Sequence, residues 1–299
     1  MKNILIIGCG LLGSSLVRKI HKKKISKNIY VYEKSKKYLA QIKKLKLPCK
    51  ILNKLDDTVS YCDLIIFCTP MSEYKNIIKK INVLLSNKNL VTDIGSSKIK
   101  TQKIVNKNLN KDASWISSHP ISGSEVSGPK NGSLTMFDNK WCILIKERNS
   151  NTRDLNKLKK FWKTIGSRVV VMSADRHDKI FSMTSHLPHL IAYNLVKSAQ
   201  DFENKQNYNL IQFSAGGLRD FSRIAASNEI MWRDILFNND VNIIRAIDLF
   251  IKNLKNFKND IKKKNNKSII NKLVQTKKVR AQILRLKHDI NKPNFGRTN

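Results

Sequence analysis

The sequence predicts an α/β fold followed by an all-helical half, and three observations predict it. Short apolar runs alternate with longer amphipathic stretches through the first 172 residues. A glycine signature, Gly8-Cys9-Gly10-Leu11-Leu12-Gly13, joins the first apolar run to the first amphipathic stretch. After about Met172 strand-like runs stop, and apolar residues recur at helical spacing. The chain therefore reads as two domains, 1–172 and 173–299.

Residues 4–7, 29–32, 64–68, 90–92, 115–117, 141–145 and 169–172 read as strands, because Ile, Val and aromatic side chains suit a buried pleated surface. Helical stretches such as 11–21, 73–85 and 152–165 lie between several of them. That alternation implies one mostly parallel sheet covered on both faces. In the second half, Val241, Ile244, Ile247, Ile251, Leu254 and Ile261 form an apolar stripe, either core or a face shared with a second subunit. Beyond Asn265 the chain stays helix-compatible to about Asp289, then ends in a polar tail with Pro293 and Gly296 that is expected to fray.

Composition excludes several classes. With 41% hydrophobic residues the 299-residue chain is not disordered, and no run reaches the roughly 18–20 apolar residues of a membrane span. The formal charge of +35 invites a nucleic-acid partner. Yet 45 of the 57 basic residues are Lys, and Asn is abundant too. Lys, Asn and Ile share A/T-rich codons, so base composition accounts for the bias without a polyanion. Residues 250–299 hold 12 Lys and 3 Arg against Asp260 and Asp289, which places much of the excess on a helical face and tail. Cys9, Cys49, Cys62, Cys68 and Cys142 form no C-x-x-C pair and mostly sit in apolar runs, as in a reducing, cytoplasmic protein. A signal segment before Cys9 is not expected, because its apolar run is short and its basic region is one Lys.

The glycine motif acquires meaning from its strand–turn–helix context. Gly8 permits the tight turn, Gly10 lets backbone approach a pyrophosphate, and Gly13 lets helix and strand pack closely. The helix start at Leu11 and Leu12 faces the phosphate charge. Glu33, 20 residues past Gly13, is placed to accept ribose hydroxyls, which favours NAD. Lys34, Lys36 and Lys37 follow it and suit a 2′-phosphate, so NADP stays open. In such sheets ligands bind beyond strand carboxyl ends, which adds Thr69 and Pro70 as cofactor contacts and singles out the stretch 92–98. There Ser96 or Ser97 caps the next helix, contacts a ligand, or both.

His21 and His288 lie in Lys-rich helical stretches and read as solvated. His119 follows a strand end among Gly, Ser and Pro, the setting of a functional loop histidine. His186 and His189, three apart, share a helix face if the helix survives Pro188; a metal pair would lack a third ligand. Arg219 and Arg223, four apart, can converge on one anion, or pair with Asp220 and Glu229. A nucleotide fold, a histidine and an arginine pair suggest hydride transfer on an anionic substrate. They do not choose among 2-hydroxy acids, 3-hydroxy acids and cyclohexadienols.

Six motifs together carry a resemblance. The glycine signature, Asp-Ile-Gly-Ser-Ser-Lys at 93–98, His-Pro-Ile-Ser-Gly-Ser-Glu at 119–125, Ser-His-Leu-Pro-His at 185–189, Gly-Gly-Leu-Arg-Asp-Phe-Ser-Arg at 216–223 and Met-Trp-Arg-Asp at 231–234 occur in that order. The chain resembles the prephenate and arogenate dehydrogenases of tyrosine biosynthesis over roughly residues 1–260. The resemblance implies a Rossmann-type domain, then a helical substrate and dimerisation domain, with the active site in the cleft between them. It implies oxidative decarboxylation of a cyclohexadienol, with hydride passing to NAD and a homodimer as partner state. By similarity His119 accepts the hydroxyl proton, a task suited to a group titrating near neutrality, and Ser96 bridges hydroxyl and nicotinamide. His186 and His189 line the substrate pocket and Arg223 binds a carboxylate. Arg219 stands where some members carry Lys. Residues 265–299 match no family motif, and no fused mutase or regulatory domain is expected there. The alternatives are another Rossmann-type hydroxy-acid dehydrogenase, or a basic NAD- or nucleic-acid-binding non-enzyme. The 3-hydroxy-acid enzymes use a catalytic Lys motif that this sequence lacks.

Overall fold

β1 (Asn3–Ile7) is buried at all five positions, as a central strand covered on both faces must be. Its side chains alternate. Ile4 and Ile6 enter one apolar cluster with Leu16, Val17 and Ile20, while Leu5 and Ile7 enter another with Phe67, Tyr74 and Ile78. The structure, a computed structural model, describes residues 1–147, 150–206 and 209–286. By contacts the chain forms two units, Met1–Ile243 and Ile244–Asn299.

In the first unit β1 leads to α1 (Leu11–Lys22), β2 (Asn28–Tyr32), α2 (Lys36–Lys44), β3 (Lys50–Leu52), β4 (Leu64–Phe67), α3 (Tyr74–Ile81), β5 (Leu90–Asp93), α4 (Ile99–Asn108) and β6 (Ser114–Trp115). These six strands are parallel, in the order β3-β2-β1-β4-β5-β6. The order reverses between β1 and β4, so a crevice opens at their carboxyl ends, where such sheets take nucleotides. The short β3 was not foreseen, since Lys50-Ile51-Leu52 has neither length nor alternation to mark it.

One expected strand, at 115–117, divides. After β6 the chain leaves the sheet and forms β7 (Ser118–Pro120), which pairs antiparallel with β8 (Trp141–Ile145). α5 (Thr152–Ile165) and β9 (Arg168–Met172) complete a separate three-stranded sheet. His119 therefore lies within a strand, not in a loop, and its strand is pinned by Ser118. The Ser118 hydroxyl is 2.6 Å from the Thr92 hydroxyl and accepts the Trp162 indole N–H at 3.1 Å.

Helices follow: α6 (Ala174–Phe181), a π-turn over Ser182–His186, α7 (Leu187–Gln206), α8 (Gly216–Ala225), α9 (Glu229–Asn238) and α10 (Asp240–Lys262). Pro188 follows directly on that π-turn, an irregularity of the kind that lets a helix take up a proline, and helical residues continue unbroken on either side of it. Trp232 and Ile235 of α9 join the apolar cluster of Phe67 and Tyr74, which fixes this helix against the nucleotide-binding half.

The second unit holds the rest of α10 and α11 (Asn266–Arg285), whose first turn is capped by the Asn265 side chain. Lys272 joins Asp260 at 2.5 Å and lies over the Phe257 ring. Most of the predicted stripe is not core of this chain: Val241, Ile244, Ile251, Leu254 and Ile261 are exposed, while Ile247 is half-buried. His288, Asp289 and the tail with Pro293 and Gly296 lie outside the described residues.

Candidate active site

The glycine loop is shaped by three different contacts. Gly8 has φ +92°, and a Cβ there would sit 2.8 Å from the Cys68 carbonyl oxygen and 2.9 Å from Thr69 Cγ2. A Cβ on Gly13 would stand 2.2 Å from the Gly8 carbonyl oxygen, so helix and strand touch through bare backbone. Above Gly10 the space is open, the nearest group being the Tyr38 ring at 4.0 Å. α1 starts at Leu11 with no side chain capping its N–H groups, and Leu12 lies in that first turn. Beside it Thr69 Oγ1 is buried without a partner, next to Pro70 at the end of β4. An open cradle, free helix N–H groups and an orphaned hydroxyl fit a dinucleotide pyrophosphate.

Glu33 braces this loop. Its Oε2 accepts the Cys9 N–H and its Oε1 the Ser35 N–H, each at 2.8 Å. Each oxygen keeps a second lone pair for a ribose hydroxyl. Lys34 is drawn to Glu73 at 2.8 Å, while Lys36 and Lys37 are exposed.

At the end of β5 a buried ion pair organises the next loop. Lys98 Nζ lies 2.7 Å from Asp93 Oδ2 and donates to the Ser118 carbonyl at 2.6 Å, both side chains being fully buried. Asp93 Oδ2 also accepts the Gly95 N–H and the Tyr74 hydroxyl. The loop carries Ser96, half-buried, and Ser97, buried against Met71 Sδ. Neither serine caps α4. Asp178 of α6 does so instead: its Oδ1 accepts the Lys98 N–H and its Oδ2 the Ile99 N–H, each at 2.8 Å. A cap supplied from 80 residues away cannot be seen in the local sequence.

The same carboxylate begins a chain of imidazoles. Asp178 Oδ1 lies 2.7 Å from His177 Nδ1, and His177 Nε2 lies 2.8 Å from His119 Nδ1. The Phe181 ring packs against both imidazoles. Burial first, then the neighbouring His177, Lys98 and His186, hold His119 well below the usual histidine range. His177 is pushed down as well, by burial and then Lys98 and His186. Burial thus favours the neutral imidazole at His119, where the sequence suggested a group titrating near neutrality. His177 and Asp178 were missed by motif reading, because Asp-Arg-His-Asp-Lys in a charged helical stretch resembles a solvated face.

On the other side stands a second pair. The Asn239 amide nitrogen donates to the Asp178 carbonyl at 2.8 Å and to His186 Nδ1 at 3.1 Å, leaving the proton on His186 Nε2. That Nε2 is buried without a hydrogen-bond partner. Burial lowers His186 to about 4, against the opposing pull of Asp178 and the adjacent Ser96 backbone. His189 Nδ1 bonds the Ser185 carbonyl and its ring stacks on Trp232. Arg223 of α8 approaches His189 closely enough to depress it further and faces Glu125 at 3.6 Å, with its Nε buried and unpartnered. Arg219 is exposed. The structure thus brings Ser96 to His186, His186 to His119, and Arg223 to His189. Among the described residues no group of three or more His, Cys, Asp or Glu is arranged to hold a metal ion.

Residues 16–171 match the family model for the prephenate dehydrogenase nucleotide-binding domain, and residues 173–276 match that for the prephenate dehydrogenase dimerization domain. The chain belongs to the prephenate dehydrogenase family. Among its relatives, the cyclohexadienyl dehydrogenase of Zymomonas mobilis is 30% identical over 97% of this chain and 98% of its own length. The prephenate dehydrogenase of Bacillus subtilis is 30% identical over 84% of this chain and 68% of its own. A crystal structure of prephenate dehydrogenase from Aquifex aeolicus, in complex with hydroxyphenyl propionate and NAD+, superposes with a TM-score of 0.88 at 30% identity. It covers 95% of this chain and 98% of that one. As a member of the prephenate dehydrogenase family this chain is an NAD-linked oxidoreductase, with a Rossmann-like sheet followed by a helical C-terminal domain.

Proposed function

We propose that this chain oxidatively decarboxylates prephenate, arogenate or both, and that His119, Ser96 and Arg223 carry the reaction. The observation that carries this reading is the lone pair on His119 Nε2. Asp178 accepts the His177 Nδ1–H, so His177 Nε2 accepts the His119 Nδ1–H, and His119 is left with an acceptor facing away from the relay.

Bound NAD supplies the hydride acceptor for the ring carbon that bears the hydroxyl. As that carbon gains carbonyl character, His119 Nε2 accepts the hydroxyl proton's hydrogen bond. The ring carboxylate leaves as carbon dioxide, its bonding pair completing the aromatic ring, so little further acid–base work is required. Ser96 lies on the loop between the nucleotide crevice and His186, where its hydroxyl can bridge substrate and cofactor. His186 offers Nε2–H as a neutral donor, and His189 lines the pocket beside Arg223. The Arg223 guanidinium takes a substrate carboxylate in its planar fork, with Arg219 as a second, exposed cation.

Lys34 engaged by Glu73 is less free to meet a 2′-phosphate, which supports NAD over NADP. The exposed apolar stripe of α10, with Ile270, Leu273 and Val274 of α11 also exposed, supports a homodimer formed through the helical domain. A domain boundary at 172/173 and a cytoplasmic location complete the reading. Among the described residues no helix is long and apolar enough to cross a membrane.

The test is NADH or NADPH absorbance after mixing the protein with prephenate or arogenate and either nucleotide. Turnover with NAD on at least one substrate is expected. No turnover in any of the four combinations contradicts the proposal.

A further inference from the structure

We infer that His177 is a positioning residue that fixes the tautomer of His119, and that Asp178 ties this setting to the Ser96 loop. The inference rests on the reading of His119 as the hydroxyl's acceptor. His177 is fully buried and its two nitrogens face only Asp178 and His119, at 2.7 and 2.8 Å. A neutral imidazole with one N–H must give it to the carboxylate, which accepts only. Its other nitrogen then accepts, and only the Nδ1–H form of His119 satisfies it. The opposite tautomer would set two lone pairs against each other in a buried site and close Nε2 to the substrate.

Asp178 makes the device two-sided. Its Oδ1 serves both His177 Nδ1 and the Lys98 N–H, and its Oδ2 holds the Ile99 N–H. Lys98 is two residues from Ser96. One carboxylate therefore registers the helix start that follows Ser96 against the imidazole that orients His119. Its own position is held from behind by Asn239, which donates to the Asp178 carbonyl.

Two substitutions separate orientation from mere packing. In His177→Gln the carboxamide reaches the position of Nε2 and can still accept from His119. In His177→Asn it reaches only the position of Nδ1, keeping Asp178 partnered while breaking the link to His119. The experiment measures kcat and KM for the better of prephenate and arogenate, the thermal midpoint, and the His119 tautomer by 15N NMR of histidine-labelled protein. These are followed in both variants, in His119→Asn, and in the His119→Asn/His177→Asn double variant.

We expect His177→Asn to lower kcat about 10- to 100-fold with KM within about threefold. The His119 Nδ1–H signal should give way to a tautomer mixture, and His177→Gln should recover most of both readouts. In the double variant the second substitution should cost almost nothing. Equal losses in Asn and Gln variants, an unchanged tautomer, or fully multiplicative losses in the double variant would overturn the inference. If His119→Asn itself keeps its turnover, the reading of His119 fails instead, and the two failures are told apart.

Discussion

The His189 imidazole lies flat on the Trp232 indole, with ring centroids 4.0 Å apart and planes inclined by 22°. Trp232 is buried and packs edge-on to His186 and Tyr193 as well, so one residue of α9 backs all three side chains. Next to it Asp234 accepts the Ser72 N–H at 2.8 Å, which fastens the same helix to the turn after Pro70. Trp232→Ala should cost about 3–5 kcal/mol of stability and raise the substrate KM through a loosened His189. Trp232→Phe keeps an aromatic face under the imidazole and should recover most of the KM change. Equal KM values in the Ala and Phe variants would show that the stack does not position His189.

Gly10 and Gly13 should separate binding from folding. A methyl on Gly13 meets the Gly8 carbonyl at 2.2 Å, whereas on Gly10 its nearest neighbour is the Tyr38 ring at 4.0 Å, an ordinary contact distance. Gly10→Ala should therefore keep its thermal midpoint within a few degrees while NAD binding weakens at least about tenfold, because the methyl enters the cradle. Gly13→Ala should lower the midpoint sharply. Unimpaired NAD binding in Gly10→Ala, measured calorimetrically, would remove the pyrophosphate from this loop.

Acid should destabilise the fold before the surface carboxylates titrate. His119, His177 and His186 are buried as neutral rings, with values below those of the unfolded chain. As pH falls through about 6.5 the unfolded chain takes up protons first, so their contribution is complete above that pH and lost towards the folded values. For His186, lowered to about 4, the full loss is about 3 kcal/mol. Asp178, raised by burial, offsets part of this as it protonates. Urea unfolding at pH 7.5 and pH 5 should differ by at least about 2 kcal/mol. Equal stabilities would mean that these imidazoles are not buried neutral.

The nucleotide half was legible because its signals are local. Gly8, Gly10 and Gly13 are placed by backbone geometry within six residues, and β1 announces itself by composition. The limits are equally physical. Ser96 and Ser97 looked like caps, but α4 is capped by Asp178 across the fold, and only tertiary structure supplies that partner. The strand expected at 115–117 splits because Ile116 and Ser117 carry the chain from one sheet towards the other, a change of direction that short apolar runs do not encode. His119 stood out as a candidate through its neighbours in sequence. His177 was not, since the residue it serves is 58 positions away. The apolar stripe of α10 was seen, and the exposure of its residues in a single chain favours the shared-face reading over the core one.

In the proposed mechanism a neutral His119 accepts the substrate hydroxyl's proton while other groups bind the substrate. The most direct measurement is kcat for His119→Asn with saturating NAD, on whichever of prephenate and arogenate the wild type turns over. kcat should fall at least about 100-fold with the substrate KM changed by less than about threefold. A kcat within a few-fold of the wild type, or a loss confined to KM, would contradict it.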